Sequence, residues 1–234
     1  MIKPLYNSEF DSTDLEAIIK SSPTKSCDLD PIPTFLLKEF LDQLLPFILV
    51  LCNKSLSTGT LPSSQKRAIV APRLKKKGMD LSEPASFRLI SNLSFMSKIL
   101  EKIVVGQLMP YLVKSDLLPK FQSGYRSHHS TETLLVRLLS DIHTAIDNGE
   151  VTVLALLDVS AAFDSVDHNI LLQRLQTSYG INSRALNWLE SFVRGRTQSV
   201  QIGSLRSEWR VIGTGVPQGS VLGPILYVLF RGHP

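Results

Sequence analysis

An aspartate at the end of an apolar run is the first feature of this sequence that could do chemistry. The run VTVLALLD, residues 151–158, is rich in leucine and β-branched residues and ends at Asp158, which predicts a buried strand. An ionised carboxylate is costly to bury without a partner, so at a strand end it would face a cation. The alternative is an aspartate that caps the next helix. Asp164 and Asp167 suit that capping role better, because they precede a helical pattern that starts near residue 167.

A second candidate is the string GVPQGSVLG, in which Gly215, Gly219 and Gly223 flank a Pro-Gln pair. Small residues let another backbone or a substrate approach closely. Free amide N–H groups, together with the Gln218 side chain, could then hydrogen-bond a polar ligand. The same glycines could instead serve tight helix packing, and the string alone does not decide between these interpretations.

The third candidate is the densest positive charge in the chain, which lies at residues 66–77 and is joined by Arg88. Lysine attracts phosphate through its charge, and arginine adds a bidentate fork. A solvated basic loop is the alternative. The histidines have no spacing that suggests a metal site, so we assign them ordinary polar or surface roles.

The composition is that of a globular protein with a small positive charge. Of the 234 residues, 43% are hydrophobic and 20% are charged, which disfavours disordered, collagen-like and coiled-coil proteins. The net charge of +4 permits a nucleic-acid partner without requiring one. Cys27 and Cys52 are too few for a disulfide framework and indicate buried thiols in a reducing, intracellular compartment, either nucleus or cytoplasm. The most apolar early stretch, residues 33–52, carries charged side chains, so we expect a core helix and no membrane partner.

The elements that must position these residues follow from the hydrophobic pattern. Thr13 and Glu16 have capping-box spacing and predict a first helix that ends near residues 21–23. Pro46 is predicted to divide the apolar stretch that follows into two helices, which end at Gly59. The remaining predictions are a short strand at 68–70, helices within 87–113, 131–147, 167–178 and 182–194, a hairpin about residues 203–204, and a helix opened by Pro217.

In their order along the chain, these segments resemble the reverse transcriptases of non-LTR (LINE-type) retrotransposons. The resemblance extends from about residue 30 to residue 230, and its strings are DPIPTFLLKEF, APRLKKKG, FRLISNLSFMSKILEKIVVGQL, FQSGYRSHHSTETLL, LALLDVSAAFDSVDHNILLQRL and GVPQGSVLGPILYVLF. Group II intron-type reverse transcriptases have related palm motifs and are the alternative within this class. The sequence strings DVSAAFDSVDH and HSTETLL favour the retrotransposon branch.

This resemblance implies an α+β fold with the fingers and an incomplete palm of a right-hand polymerase. It implies an antiparallel sheet with flanking helices, and we expect the family's thumb to be absent from this chain. The expected divisions are an N-terminal helical extension over residues 1–62, a fingers part over 63–150 and a partial palm over 151–234. The implied activity is RNA-directed DNA polymerisation on an RNA template with a DNA primer and dNTPs. The oligomeric state is left open.

The resemblance also assigns a metal and a sugar-facing residue. Asp158 matches the first metal-binding aspartate, and Val159 would offer its backbone carbonyl to the second of two Mg²⁺ ions. Two-metal phosphoryl transfer lowers the pKa of the primer hydroxyl and neutralises the phosphate in the transition state. Phe163 occupies the position of the steric gate, where a ring under the sugar disfavours a 2′-hydroxyl.

The remaining assignments concern the incoming nucleotide. Gln218 would contact that nucleotide or its template partner, and Pro217 and Gly219 would shape the loop around it. Arg88 matches the fingers arginine that grips the triphosphate, and Lys75 or a neighbour is the lysine beside it.

The sequence also departs from the family pattern. It has no aromatic-Ala-Asp-Asp turn, and residues 210–234 contain no acid, so one carboxylate would have to hold two Mg²⁺ ions that prefer several oxygen ligands. Leu89 replaces a proline in the string FRLISNL, which frees a φ angle and could loosen the loop that carries Arg88. We therefore expect a truncated chain that is inactive alone. The alternatives are a non-catalytic nucleic-acid-binding module, or a chain that exposes an unpaired strand edge and the apolar helix at 221–230.

Overall fold

The computed structural model describes residues 10–159 and 161–232 and has both helices and strands, as expected of an α+β fold. The sheet lies beside a large helical core. The helices are α1 (Ser12–Ser21), α2 (Thr34–Glu39), α3 (Leu41–Thr58), α4 (Phe95–Lys114), α5 (Thr131–Asp147), α6 (His168–Thr177), α7 (Ser183–Val193) and α8 (Gly223–Arg231). The strands are β1 (Arg67–Leu74), β2 (Phe87–Asn92), β3 (Arg196–Ile202), β4 (Leu205–Arg206) and β5 (Arg210–Ile212). No helix in this described part is both long and apolar enough to cross a bilayer.

The sheet is mixed, so the prediction of an antiparallel sheet is wrong in one pairing. Its strands lie in the order β2-β1-β3-β4. Strand β4 pairs with the end of β3, and β5 pairs with the beginning of β3. The β1–β2, β3–β4 and β3–β5 pairs are antiparallel, whereas β1 and β3 are parallel, with Arg67 opposite Thr197. Parallel neighbours need a long crossover connection, and here helices α4 to α7 provide it. The predicted hairpin about residues 203–204 is confirmed.

Two details of the N-terminal helices differ from prediction. Asp11, not Thr13, caps α1, because its side chain accepts a hydrogen bond from the Thr13 amide. The break between α2 and α3 falls at Phe40, while Pro46 lies inside α3, within its first two turns. Gly59 ends α3 with a left-handed φ of 65°, as predicted.

The core is built around α4, which is buried along most of its length. Ile99, Leu100, Ile103 and Leu108 are completely inaccessible to solvent. Helices α1, α3, α6, α7 and α8 contribute apolar side chains to the same cluster. The helix predicted to open at Pro217 instead begins at Gly223, and residues 217–222 form turns.

Residues 151–159, predicted as a buried strand, differ most from prediction. They form neither helix nor strand and are exposed throughout. Val151, Val153 and Leu157 are 91%, 89% and 95% exposed. A strand needs a neighbour for its backbone N–H and C=O groups, and in the described part of the chain no strand pairs with this segment. The prediction of a strand at this segment is therefore wrong for this structure, although the segment is apolar in sequence. The helix at 221–230, which we expected to be exposed if the sheet stayed incomplete, is instead largely buried.

Candidate functional site

The loop 215–222 is bound through its backbone to the segment that carries Phe163. The Gly215 amide donates to the Val166 carbonyl at 2.7 Å, and the Val216 amide donates to the Phe163 carbonyl at 2.9 Å. His168, which is buried, places its Nε2 atom 2.8 Å from the Gly215 carbonyl oxygen. Phe163 and the Pro-Gln pair, although distant in sequence, therefore belong to one rigid assembly.

The other side of the loop is bound to β2. The Ser91 amide donates to the Gln218 carbonyl at 2.7 Å. Gly219 has a φ of +126°, and a Cβ atom at this position would lie 2.5 Å from the Ser91 carbonyl oxygen. Only glycine allows both this φ and this approach, which confirms that a glycine here permits close backbone contact.

A third attachment comes from α4 through Glu101, which is completely buried. Its Oε2 atom accepts hydrogen bonds from the amides of Val221, at 2.6 Å, and Leu222, at 3.1 Å. The other carboxylate oxygen accepts from the Ser97 hydroxyl at 3.2 Å. Burial raises the pKa of the Glu101 carboxyl above its usual range, while these hydrogen bonds and the charge of Arg196 act in the opposite direction.

Gln218 borders a small cavity of about 50 Å³ whose wall also includes Asp164 and Arg196. Arg196 is 1% exposed, and burial lowers the pKa of its guanidinium to about 10. Partial burial raises the pKa of the Asp164 carboxyl. A larger cavity, of about 790 Å³, is lined by Cys27, Arg73 and other residues that include none of the predicted site residues.

Phe163 is half-buried and packs against Tyr227 of α8, with ring centroids 5.6 Å apart and planes tilted by 43°. Pro217 is buried, Gln218 is half-buried and Gly219 is exposed. The structure thus brings together the predicted residues Phe163, Pro217, Gln218 and Gly219.

The predicted triphosphate-binding side chains lie on the hairpin of β1 and β2. Arg88 is exposed and pairs with Arg73 across the two strands. Lys75 follows β1, is exposed, and donates its amide to the Ser86 carbonyl at 2.9 Å. Neither Arg88 nor Lys75 lines the cavity beside Gln218. Leu89, at the position of the family's proline, pairs with Pro72 of β1, so the strand is formed without the proline ring.

The predicted metal ligands lie on an exposed segment that forms neither helix nor strand. Asp158 is exposed, and its Oδ1 atom accepts a hydrogen bond from the adjacent Val159 amide at 2.9 Å. Within the described residues, no group of three or more histidine, cysteine, aspartate or glutamate side chains could hold a metal ion. Mg²⁺ is bound through oxygen ligands in a near-octahedral arrangement. A lone carboxylate on an unpaired segment does not fit a site for two such ions.

Sequence reasoning missed Glu101 and Arg196 and gave His168 only an ordinary polar role. A signal for Glu101 was present, because Val104 and Leu108, three and seven residues later in the predicted helix, place it on an apolar face. Arg196 had no such signal, since it lies in the polar string RGRTQ. Asp167 does cap α6, by accepting from the amides of Asn169 and Ile170, as predicted.

The mixed α and β fold is consistent with a reverse transcriptase domain, and comparison with known families identifies the family. The family described as reverse transcriptase (RNA-dependent DNA polymerase) matches residues 74–233. The chain therefore belongs to the reverse transcriptase family.

Its relatives include proteins of mobile elements from Drosophila melanogaster. It is 34% identical to the RNA-directed DNA polymerase from mobile element jockey, over 81% of this chain and 20% of that protein. The probable RNA-directed DNA polymerase from transposon X-element is 33% identical, over 92% of this chain and 23% of that protein. The corresponding protein from transposon BS is 31% identical, over 98% of this chain and 24% of that protein. The resemblance to non-LTR retrotransposon reverse transcriptases is thereby confirmed, and the chain spans about a fifth to a quarter of these relatives.

Proposed function

We propose that this chain is the part of an RNA-directed DNA polymerase that binds the template, the primer end and the incoming dNTP. Residues 63–150 form the fingers, residues 151–234 form part of the palm, and residues 1–62 form a helical extension. One observation supports this most strongly. The loop 215–222 is bound to the Phe163 segment and to β2, the strand of Arg88, so residues from three separate motifs form one assembly.

In this proposal each side chain has a role that suits its position. The half-buried Gln218 contacts the incoming nucleotide or its template partner, and Phe163, braced by Tyr227, lies under the sugar. The exposed Arg88 and Lys75 bind the triphosphate when the hairpin closes over it, because free cationic side chains can form charge-assisted hydrogen bonds to phosphate. Pro217 and Gly219 hold the loop in its shape.

The proposed cofactor is Mg²⁺, with Asp158 and the carbonyl of Val159 as ligands in a complete polymerase. The donors described here do not fit two ions, because the carboxylate is single and exposed. We therefore propose that the 234-residue polypeptide alone binds its substrates without joining them.

This proposal predicts no elongation of a labelled DNA primer on an RNA template by the purified 234-residue polypeptide with Mg²⁺ and all four dNTPs. Denaturing gel electrophoresis is the measurement, and an active reverse transcriptase on the same template is the positive control. Elongation that disappears in Asp158→Ala would show that this chain does assemble a metal site.

A second candidate function is nucleic-acid binding without catalysis. It is favoured by the basic hairpin, in which Arg73, Arg88 and the run Lys75, Lys76 and Lys77 are all exposed. Exposed cations that neutralise phosphates release counterions, so binding through them depends steeply on salt. This function requires neither Phe163 nor Gln218.

Replacing Lys75, Lys76 and Lys77 together by alanine is expected to weaken binding to an RNA–DNA hybrid and to flatten its salt dependence. If each lysine contacts one phosphate, the slope of log K against log salt should fall by roughly 2 to 3. Fluorescence anisotropy over a salt series provides the measurement.

The matched control for this experiment replaces three other exposed lysines, Lys25, Lys54 and Lys114, by alanine, which removes the same charge elsewhere. The control should retain the wild-type slope. Equal slopes for the two triple variants would show that the hairpin is not the nucleic-acid contact.

A further inference from the structure

We infer that Glu101 is a positioning residue whose carboxylate holds the loop 215–222, which carries Gln218, through hydrogen bonds to the backbone amides of Val221 and Leu222. The inference deepens the proposed function and rests on it in one respect: the loop must be the part that contacts the nucleotide. The geometry of the attachment is independent of that function.

The carboxylate satisfies amides that the loop and α8 leave without a helical partner. Helix α8 begins at Gly223, whose own amide donates to the Ser220 hydroxyl at 2.7 Å. The preceding amides, of Val221 and Leu222, lie before the helix and donate to Glu101 instead. The first amides of a helix have no partner within it, and a carboxylate there is favoured by both hydrogen bonding and the helix dipole. Glu101, on helix α4, therefore caps helix α8. The first amide that it binds, that of Val221, lies three residues after Gln218.

A neutral side chain of similar shape would fill the space that Glu101 occupies, but it would not supply the negative charge. Glu101 is completely buried, so its ionised form has lost the stabilisation of water. Burial raises the pKa of Glu101 and lowers the pKa of Arg196, on β3, and the opposite charges of the two groups act against both shifts. The Ser97 hydroxyl, from one turn earlier on α4, also donates to the carboxylate.

The Arg196 guanidinium contacts Phe192 rather than forming a direct ion pair. Its Nη1 atom donates to the Phe192 carbonyl at 3.1 Å, and its Cζ atom lies 5.0 Å from the centroid of the Phe192 ring. Within the described residues, the buried Nε and Nη2 atoms have no hydrogen-bond partner. Arg196 also borders the cavity beside Gln218. Losing Glu101 would remove the negative charge that acts on this buried cation.

Amide hydrogen exchange on the ¹⁵N-labelled chain, without nucleotide, tests the inference directly. Glu101→Gln keeps the shape and removes the charge. It should speed exchange of the Val221 and Leu222 amides by about tenfold or more, relative to the Leu108 amide in the middle of α4. Ile99→Ala, at another fully buried site on α4, destabilises the fold without touching the loop and should leave that ratio unchanged. An unchanged ratio in Glu101→Gln would overturn the inference.

The first part of a second measurement needs only the wild-type chain, so it stands even if a variant does not fold. In the wild-type chain, the amide proton shifts of Val221 and Leu222 should follow the ionisation of the Glu101 carboxyl carbon with the same midpoint. Arg196→Met, which removes the opposing charge, should move that midpoint to higher pH. Amide shifts that ignore Glu101, or a midpoint that does not move, would contradict the pairing. Failure of the wild-type chain to bind dNTP would refute the proposed function and leave both amide results standing.

Discussion

Gly219→Ala is expected to destabilise the protein by about 3 kcal/mol, because alanine at this φ is strained and its Cβ would overlap a backbone oxygen. The φ of +126° belongs to a region that L side chains rarely adopt. Relief of the 2.5 Å approach to the Ser91 carbonyl oxygen requires the loop to move away from β2. That movement would break the hydrogen bond from the Ser91 amide to the Gln218 carbonyl and displace Gln218. Urea denaturation measures the loss of stability.

Two other glycines are controls for this substitution. At Gly213, just before the loop, and at Gly106, inside α4, a Cβ atom would meet nothing within 4 Å. Gly213→Ala should change the stability by less than about 0.5 kcal/mol, and Gly106→Ala should increase it by about 0.5–1 kcal/mol. A Gly219→Ala variant as stable as Gly213→Ala would show that the loop does not lie against β2 in solution.

Trp188→Ala is expected to destabilise the fold by about 3–5 kcal/mol, since it removes a large buried side chain and leaves a cavity. Trp188 is completely buried on α7, and its ring stacks on Phe192 with centroids 5.9 Å apart. Its Nε1 atom donates to the Ser55 hydroxyl of α3 at 2.9 Å. The side chain thus links the N-terminal helices to the part of the chain that carries the loop.

The intermediate variant Trp188→Phe keeps an aromatic ring but loses the donor, and it should lose less stability than Trp188→Ala. Asn187→Ala changes an exposed neighbour on the same helix and should stay within about 0.5 kcal/mol of the wild type. Thermal unfolding followed by circular dichroism compares the three. A Trp188→Ala chain that melts like Asn187→Ala would mean that α3 and α7 do not pack as described.

The local structure was predictable wherever local signals decide it. Helices α5, α6 and α7 lie within about a residue of their predicted bounds, because caps such as Ser130 and Asp167 and a regular apolar period are contained in the segment itself. The string around Gln218 was only partly predictable, because its glycines allowed either close backbone approach or helix packing and the helix predicted to open at Pro217 was wrong. The contact of Gly219 with Ser91 decides for close backbone approach at that glycine.

The predictions that failed depend on partners distant in sequence. Residues 151–159 have the composition of a buried strand, but a strand forms only where a neighbour pairs with it. The parallel pairing of β1 with β3 joins segments more than a hundred residues apart, and nothing within either strand specifies it. Helix α5 shows the same limit: its bounds were correct, yet none of its side chains is buried. Glu101 and Arg196 acquire their roles only once α4, β3 and the loop are brought together.

The placement of Gln218 and Phe163 in one nucleotide-binding assembly is tested most directly by template-dependent photocrosslinking. The chain is mixed with an RNA template, a DNA primer and a radiolabelled photoreactive dNTP, and the labelled peptides are mapped. Labelling is expected at residues 215–222 or at the Phe163 segment when the dNTP matches the template base, and it should be much weaker with a mismatched base or in Gln218→Ala. Labelling that ignores the template base, or that falls outside both segments, would contradict it.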